Sequence, residues 1–268
     1  MNPSKPHRRV PGPGMAVVAG LLAITPVFVA RAADDSTTAP DGKTLTTQAD
    51  GKAKKVVAEA KKPEPRFKLY GWVEAGITGN PDSPTDNHNF GHLFTDRANE
   101  PLLNQFAVVA ERTLDSSATG FDWGFKVWFQ EGSDTRYTKS SGFLDLATNE
   151  RVQPDFPEIY VNLHTPIPGT AGGLDFKAGK YADPMSAETI DPRNNVFYSK
   201  SYIFNFGVPF TDTGFLATLH ATKVLDIYAG LNIGNNITFK DNNHSLAFEG
   251  GFGLNLLDGN LTVAALTH

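Results

Sequence analysis

Residues 121–130 read Phe121-Asp122-Trp123-Gly124-Phe125-Lys126-Val127-Trp128-Phe129-Gln130, and their order decides the fold class. In an extended chain Phe121, Trp123, Phe125, Val127 and Phe129 fall on one side. Asp122, Lys126, Trp128 and Gln130 fall on the other. Leu246, Phe248, Phe252, Leu254 and Leu256 repeat the arrangement against Glu249 and Asn255, with Gly250 on the apolar side and Gly251 and Gly253 on the polar side. Such alternation marks a β-strand with one apolar and one wet face. Eleven residues at about 3.3 Å each reach about 36 Å, which at a tilt of roughly 40° crosses the hydrocarbon of a bacterial outer membrane.

The same rhythm runs from Arg66 to the end of the sequence and predicts nine strands. They start near Phe67, Leu103, Gly120, Phe156, Leu174, Gly214, Leu225, Leu246 and Leu261. The second, about Leu103 to Arg112, alternates least clearly. The connectors between them run long, short, long, short, long, short, medium, short, and Asp258-Gly259 supplies a hairpin signal before the ninth strand. Bacterial outer-membrane barrels have short periplasmic turns and longer outer loops, so a first strand that runs outward puts every long loop outside. The expected class is an all-β, antiparallel transmembrane β-barrel. Single-chain barrels of this kind have even strand numbers, so nine strands ending at His268 read as the N-terminal part of a longer barrel.

Residues 1–32 read as a secretory leader. Lys5, Arg8 and Arg9 precede an apolar run from Met15 to Ala30, and Ala30-Arg31-Ala32 gives the small-residue cleavage pattern. The run is too short for a convincing spanning helix. Residues 33–65 carry Asp34, Asp35, Asp41, Asp50, Glu59 and Glu64 against six lysines and no aromatic residue, which reads as a flexible periplasmic segment. Residues 66–268 form the barrel part.

The chain holds no cysteine, which excludes disulfides, zinc–thiolate sites and cysteine nucleophiles. From Arg66 onward there are 23 acidic and 14 basic residues, a net charge of −9, so the footprint of a nucleic-acid binder is missing. No Gly-x-Ser-x-Gly elbow or phosphate-binding glycine loop appears, and His164 and His220 have no nucleophile partner in the pattern. The chain is expected to be no enzyme and to take no cofactor. His88 and His92 lie four apart with Asp86 nearby, but no helical pattern brings them to one face, so no metal site is assigned.

The polar strand faces supply the pore-lining candidates Lys68, Glu74, Asp122, Lys126, Glu158, Asn162, Asp175, Lys177, Asp226 and Glu249. Ions of both signs at mid-strand are costly in a packed core but stay hydrated in a water-filled lumen. A soluble exported β-protein that binds a ligand would also alternate; the loop asymmetry and uniform strand length favour the barrel. The longest connector, Ala182 to Thr213, mixes Asp183, Glu188, Asp191, Arg193 and Lys200 with Phe197, Tyr198, Tyr202, Phe204, Phe206 and Phe210. So many aromatic residues argue against a freely solvated loop. It either folds into the lumen as a constriction or packs on the rim.

Several further motifs carry a resemblance. Gly179-Lys180-Tyr181, Glu188, Tyr198-Ser199-Lys200-Ser201-Tyr202 and Gly207-Val208-Pro209-Phe210-Thr211-Asp212-Thr213-Gly214 are similar to the OmpL-like β-barrel porin family, as are Gly71-Trp72-Val73-Glu74 and Leu103-Asn104-Gln105. The resemblance spans roughly residues 66–268, and Asp212 stands where histidine is common. It implies an outer-membrane pore and says little about which solute passes; the expected function is passive diffusion of small hydrophilic solutes across the outer membrane of a Gram-negative bacterium. The partners expected are outer-membrane lipid and those solutes, with a weak preference for cations.

Overall fold

The computed structural model describes the backbone of Thr25–Ala30 and residues 65–145, 150–241, 243–257 and 260–268. The strands are β1 (Thr25–Ala30), β2 (Phe67–Ile77), β3 (Pro101–Arg112), β4 (Asp122–Gly132), β5 (Gln153–Thr165), β6 (Gly173–Ala182), β7 (Thr211–His220), β8 (Leu225–Asn232), β9 (Ala247–Leu256) and β10 (Leu261–Thr267). Two short helices, α1 (Thr135–Thr138) and α2 (Tyr202–Phe206), lie in the long connections. From β2 to β10 each strand pairs antiparallel with its sequence neighbour, an all-β meander. The sheet does not close: β2 lies at one edge and β1, paired antiparallel to β10, at the other.

An open sheet edge offers a row of unpaired backbone groups to any extended segment within reach, which accounts for the place β1 takes. The rest of the expected leader and the segment up to residue 64 lie outside the described residues. So does the Asp258-Gly259 turn.

Side chains alternate as expected. On β2, Phe67, Leu69, Val73 and Ile77 are exposed, while Lys68, Tyr70, Trp72 and Glu74 face the other way. Trp123, Val161, Leu163, Phe176, Phe215, Ile227, Leu231, Phe248 and Phe252 continue the exposed apolar face across the other strands. A soluble protein rarely leaves so large a contiguous apolar face in water. In lipid the same face is matched to its solvent, and between its two edges the antiparallel sheet satisfies its backbone groups within itself. No helix among the described residues is long and apolar enough to cross a membrane.

Two bulges correct the simple pattern. Glu74 pairs with Gln105 but Ala75 pairs with Leu103, so Asn104 is the extra residue on β3. Trp128 pairs with Glu158 but Gln130 pairs with Asp155, which gives β5 one extra residue around Phe156-Pro157. Proline has no N–H for the ladder, and a bulge is where a strand tolerates it. These insertions explain why the second strand alternates poorly and why β5 begins before the expected Phe156.

The connections 78–100, 133–152, 183–210 and 233–246 all leave one end of the sheet, and the turns 113–121, 166–172, 221–224 and 257–260 all leave the other. The main buried apolar cluster sits on the polar face at the long-loop end. There Phe94, Ile190, Phe204 and Phe210 from the connections pack with Ala107, Val109 and Trp128 from β3 and β4.

Candidate functional site: the polar face and the loop laid across it

The ten strand candidates share the polar face, and most are engaged. Asp122 accepts from Arg66 (2.8 Å) and Arg112 (2.9 Å), and Lys126 is paired with Glu158. The Lys177 ammonium stands 4.8 Å from the ring centroid of Tyr160. Asn162 lies beside it in register, opposite Lys177 on the neighbouring strand. Lys68 and Glu74 project from the same side of β2.

At the short-turn end a polar chain crosses six strands. His164 Nε2 meets the Ala118 carbonyl at 3.0 Å and its Nδ1 meets Asp175 at 2.6 Å. His220 Nε2 meets Asp175 at 3.2 Å and its Nδ1 meets Asp226 at 2.7 Å. Asn255 then bonds Asp226, and Thr262 bonds Asn255. Each ring nitrogen of both histidines thus has a hydrogen-bonding partner. A cavity of about 320 Å³ opens beside this chain, lined by Glu111, Arg112, Tyr160, Asn162, Asp175 and Lys177 among others.

Glu249 on β9 accepts a hydrogen bond from the Tyr181 hydroxyl on β6. Two strands, β7 and β8, lie between them. Gly230 on β8 clears the path, since a Cβ there would come within 2.5 Å of Glu249 Oε1.

The 183–210 connection runs back over the polar face. It leaves β6 and returns to β7, yet its contacts are on β2 and β3, four strands away from β6 in the sheet. At about 4.8 Å between strands that is roughly 19 Å of sheet. The Arg193 guanidinium lies 4.0 Å from the Trp72 ring centroid and 4.9 Å from that of Tyr70. The Tyr198 hydroxyl donates to Asn104 at 2.9 Å, and its ring occupies the space a Cβ at Gly76 would need. Gln105 donates from one amide nitrogen to the Ile190 carbonyl and to Asp134 (2.9 Å each), while its oxygen accepts from the Trp72 indole at 3.0 Å. The loop is therefore docked on the face, not on its own rim.

The four loop candidates divide by role. Asp191 accepts from the backbone and side chain of Arg193, presenting the guanidinium to Trp72. Glu188 caps α2 from outside, accepting from the backbone and hydroxyl of Ser201. Lys200 donates to the Thr189 carbonyl at 3.2 Å. Burial lowers its ammonium below the usual lysine range against the pull of Glu74, Asp134, Glu188 and Asp191. Of the loop aromatics, Phe204 and Phe210 are buried in the apolar cluster, whereas Phe197, Tyr202 and Phe206 are exposed.

Sequence reading missed Asn104, Gln105 and Asp134 as the loop's anchors. The signal available was two adjacent amides in a predicted strand, which alternation forbids and a bulge allows. His88 pairs with Arg97 and His92 with Thr95, so the two histidines do not converge.

An antiparallel meander with one apolar face, one charged face and a loop docked on the charged face is consistent with a β-barrel. The family model described as "Putative beta-barrel porin-2, OmpL-like" matches residues 66–268. The chain belongs to this family. No curated protein and no solved structure matches it. Membership in this porin family makes it a porin-like β-barrel of the outer membrane.

Proposed function

We propose that this OmpL-like chain is a passive pore for small hydrophilic solutes, with no chemical step and no cofactor. The observation that carries the reading is the 183–210 loop, held across the polar face by Trp72, Asn104 and Gln105. A loop fixed there narrows the water-filled path and sets the size of solute that passes, with Arg193 and Asp191 at the constriction. Lys68, Glu74, Lys126, Asn162, Asp175, Lys177 and Asp226 line the remaining lumen and meet the passing solution, whereas Asp122, Glu158 and Glu249 are buried. In this reading the leader 1–32 is removed on export, residues 33–65 stay in the periplasm, and the long connections face outward. Cleavage also removes β1 and leaves β10 as the edge of the described sheet.

The test is single-channel recording in planar bilayers with the full-length protein refolded in detergent. Stepwise ohmic conductance that scales with salt is expected, together with exclusion of larger neutral polymers. Protein that is folded and inserted, as judged by heat-modifiable migration and protease protection, yet never conducts would refute the reading. Recovery of the protein in the soluble periplasm would support a ligand-binding β-protein instead.

A further inference from the structure

Asp183, Asp212, Glu249 and His268 come from four separate elements and meet at the long-loop end of the sheet. Each offers one ligand atom, and these atoms lie within 4.8 Å of one another. Asp212 is fully buried and Glu249 is 4% exposed. Yet Asp212 Oδ1 and Oδ2, Asp183 Oδ2 and Glu249 Oε2 receive no hydrogen bond from any described group. A buried carboxylate oxygen with no donor loses its hydration without replacement, which is costly unless a cation supplies it.

His268 brings an imidazole to the same point. Its Nε2 lies 3.4 Å from Asp212 Oδ1. Asn232 Oδ1 accepts from the Gly234 amide at 2.9 Å, which turns the Asn232 Nδ2 toward His268 Nε2, 2.6 Å away. Nε2 has a single lone pair, so a cation bound there would take it over from the Asn232 amide. The nearby lysines are engaged elsewhere: Lys180 with Asp155, Lys177 over Tyr160 and Tyr181. Other polar contacts are the Met185 amide on Asp183 Oδ1 at 2.6 Å, the Tyr181 hydroxyl on Glu249 Oε1, the Asn232 side chain on Glu249, and the Asp183 and Asp212 carboxyls on one another.

We infer that Asp183, Asp212, Glu249 and His268 bind a divalent transition-metal cation. Three carboxylates with one imidazole suit Mn²⁺ or Zn²⁺ better than Ca²⁺ or Mg²⁺, which seldom take nitrogen. Oxygen and nitrogen ligands sit about 2.0–2.2 Å from such an ion, so opposed ligands are about 4.4 Å apart and the cluster needs only a small contraction. Asp183 begins the infolded loop, Asp212 and Glu249 belong to β7 and β9, and His268 follows β10. The ion would tie the root of the loop to the barrel wall.

The test uses the full chain refolded in detergent without lipopolysaccharide, treated with EDTA and dialysed. Titration with Mn²⁺ followed by electron paramagnetic resonance should show loss of the free aqueous signal at one equivalent per chain, competed by Zn²⁺ and not by equal Ca²⁺. Asp212→Asn should weaken Mn²⁺ binding by at least about tenfold, whereas Asp82→Asn, on an exposed loop carboxylate, should leave it unchanged. Mn²⁺ should also raise the temperature at which the folded band converts on gels, in wild type and not in Asp212→Asn. If Asp212→Asn does not fold, Glu249→Gln and His268→Gln carry the same expectation. Equal Mn²⁺ binding by wild type and the folded variants, or equal loss in Asp82→Asn, would overturn the site. A proton shared among the carboxylates would then account for the cluster.

Discussion

Asn104 and Gln105 are consecutive residues of one strand, yet both side chains point to the polar face and both amides donate to the carboxylate of Asp134, at 2.9 Å each. An unbroken strand sends neighbours to opposite faces. The bulge between Leu103 and Gln105 changes that, and it gives β3 two amides where the ladder would allow one. Asn104 Oδ1 then accepts from Tyr198, and Gln105 reaches Ile190 and Trp72. The position of the infolded loop thus depends on a single inserted residue, backed by a buried acid from the neighbouring connection.

That acid should make stability depend on pH. Burial raises the Asp134 carboxyl to about 6, against the pull of the two amides. The folded protein therefore holds the proton more tightly than the unfolded chain. The contribution of Asp134 is greatest below its ordinary value near 4 and is lost as pH rises through about 6. Between pH 5 and 7.5 the loss should be on the order of 1–2 kcal/mol. Asp134→Asn removes this titration. Urea unfolding read by heat-modifiable migration should show a smaller decline in the variant over that range, and parallel declines would show that other groups set the slope.

The stacking of Arg193 on Trp72 should be separable from the rest of the anchorage. Arg193 is partly exposed, so its guanidinium over the indole is worth about 0.5–1 kcal/mol. A double-mutant cycle with Trp72→Ala and Arg193→Ala should return a coupling of that size in thermal denaturation. The same variants should raise single-channel conductance, because a loosened loop obstructs less of the lumen. Unchanged conductance in both single variants and the pair would show that the loop, although docked on the face, does not limit flow.

The strands, their direction and the long-and-short order of the connections were legible because one-sided burial writes a period of two into the sequence. The bulges at Asn104 and Pro157 were not, since one extra residue resets the alternation and resembles noise. Whether Phe204 and Phe210 sit on the rim or in the lumen could not be read from composition, because aromatic burial is equally favourable in either place. Their partners Phe94, Val109 and Trp128 are distant in sequence. The Asp183 cluster was hidden for the same reason: its four members come from four elements and have no shared spacing.

Lipid exposure of the apolar face makes a prediction that a soluble sheet would not share. Val161 lies mid-strand on β5 and is 54% exposed. In water, Val161→Arg would be close to neutral. At the midplane of a bilayer it should cost about 2–4 kcal/mol. Equilibrium unfolding of the protein in thin lipid vesicles measures this directly, with Thr218→Arg on the polar face as the comparison. A neutral Val161→Arg would place that face out of lipid.

Ion selectivity should be weak and should favour cations. The polar face carries Glu74, Asp122, Glu158, Asp175, Asp226 and Glu249 against Lys68, Lys126 and Lys177. Part of that excess is compensated locally, Asp122 by Arg66 and Arg112, and Glu158 by Lys126. A small residual field acts within about 8 Å at physiological salt and about 3 Å at 1 M. Reversal potentials under a potassium chloride gradient should therefore show a modest preference for potassium that fades as salt rises. Arg193→Gln removes a cation from the loop and should strengthen the preference, whereas Glu74→Gln should weaken it. A preference for chloride that Arg193→Gln abolishes would show instead that the guanidinium stacked on Trp72 governs the passage, outweighing the carboxylates along the strands.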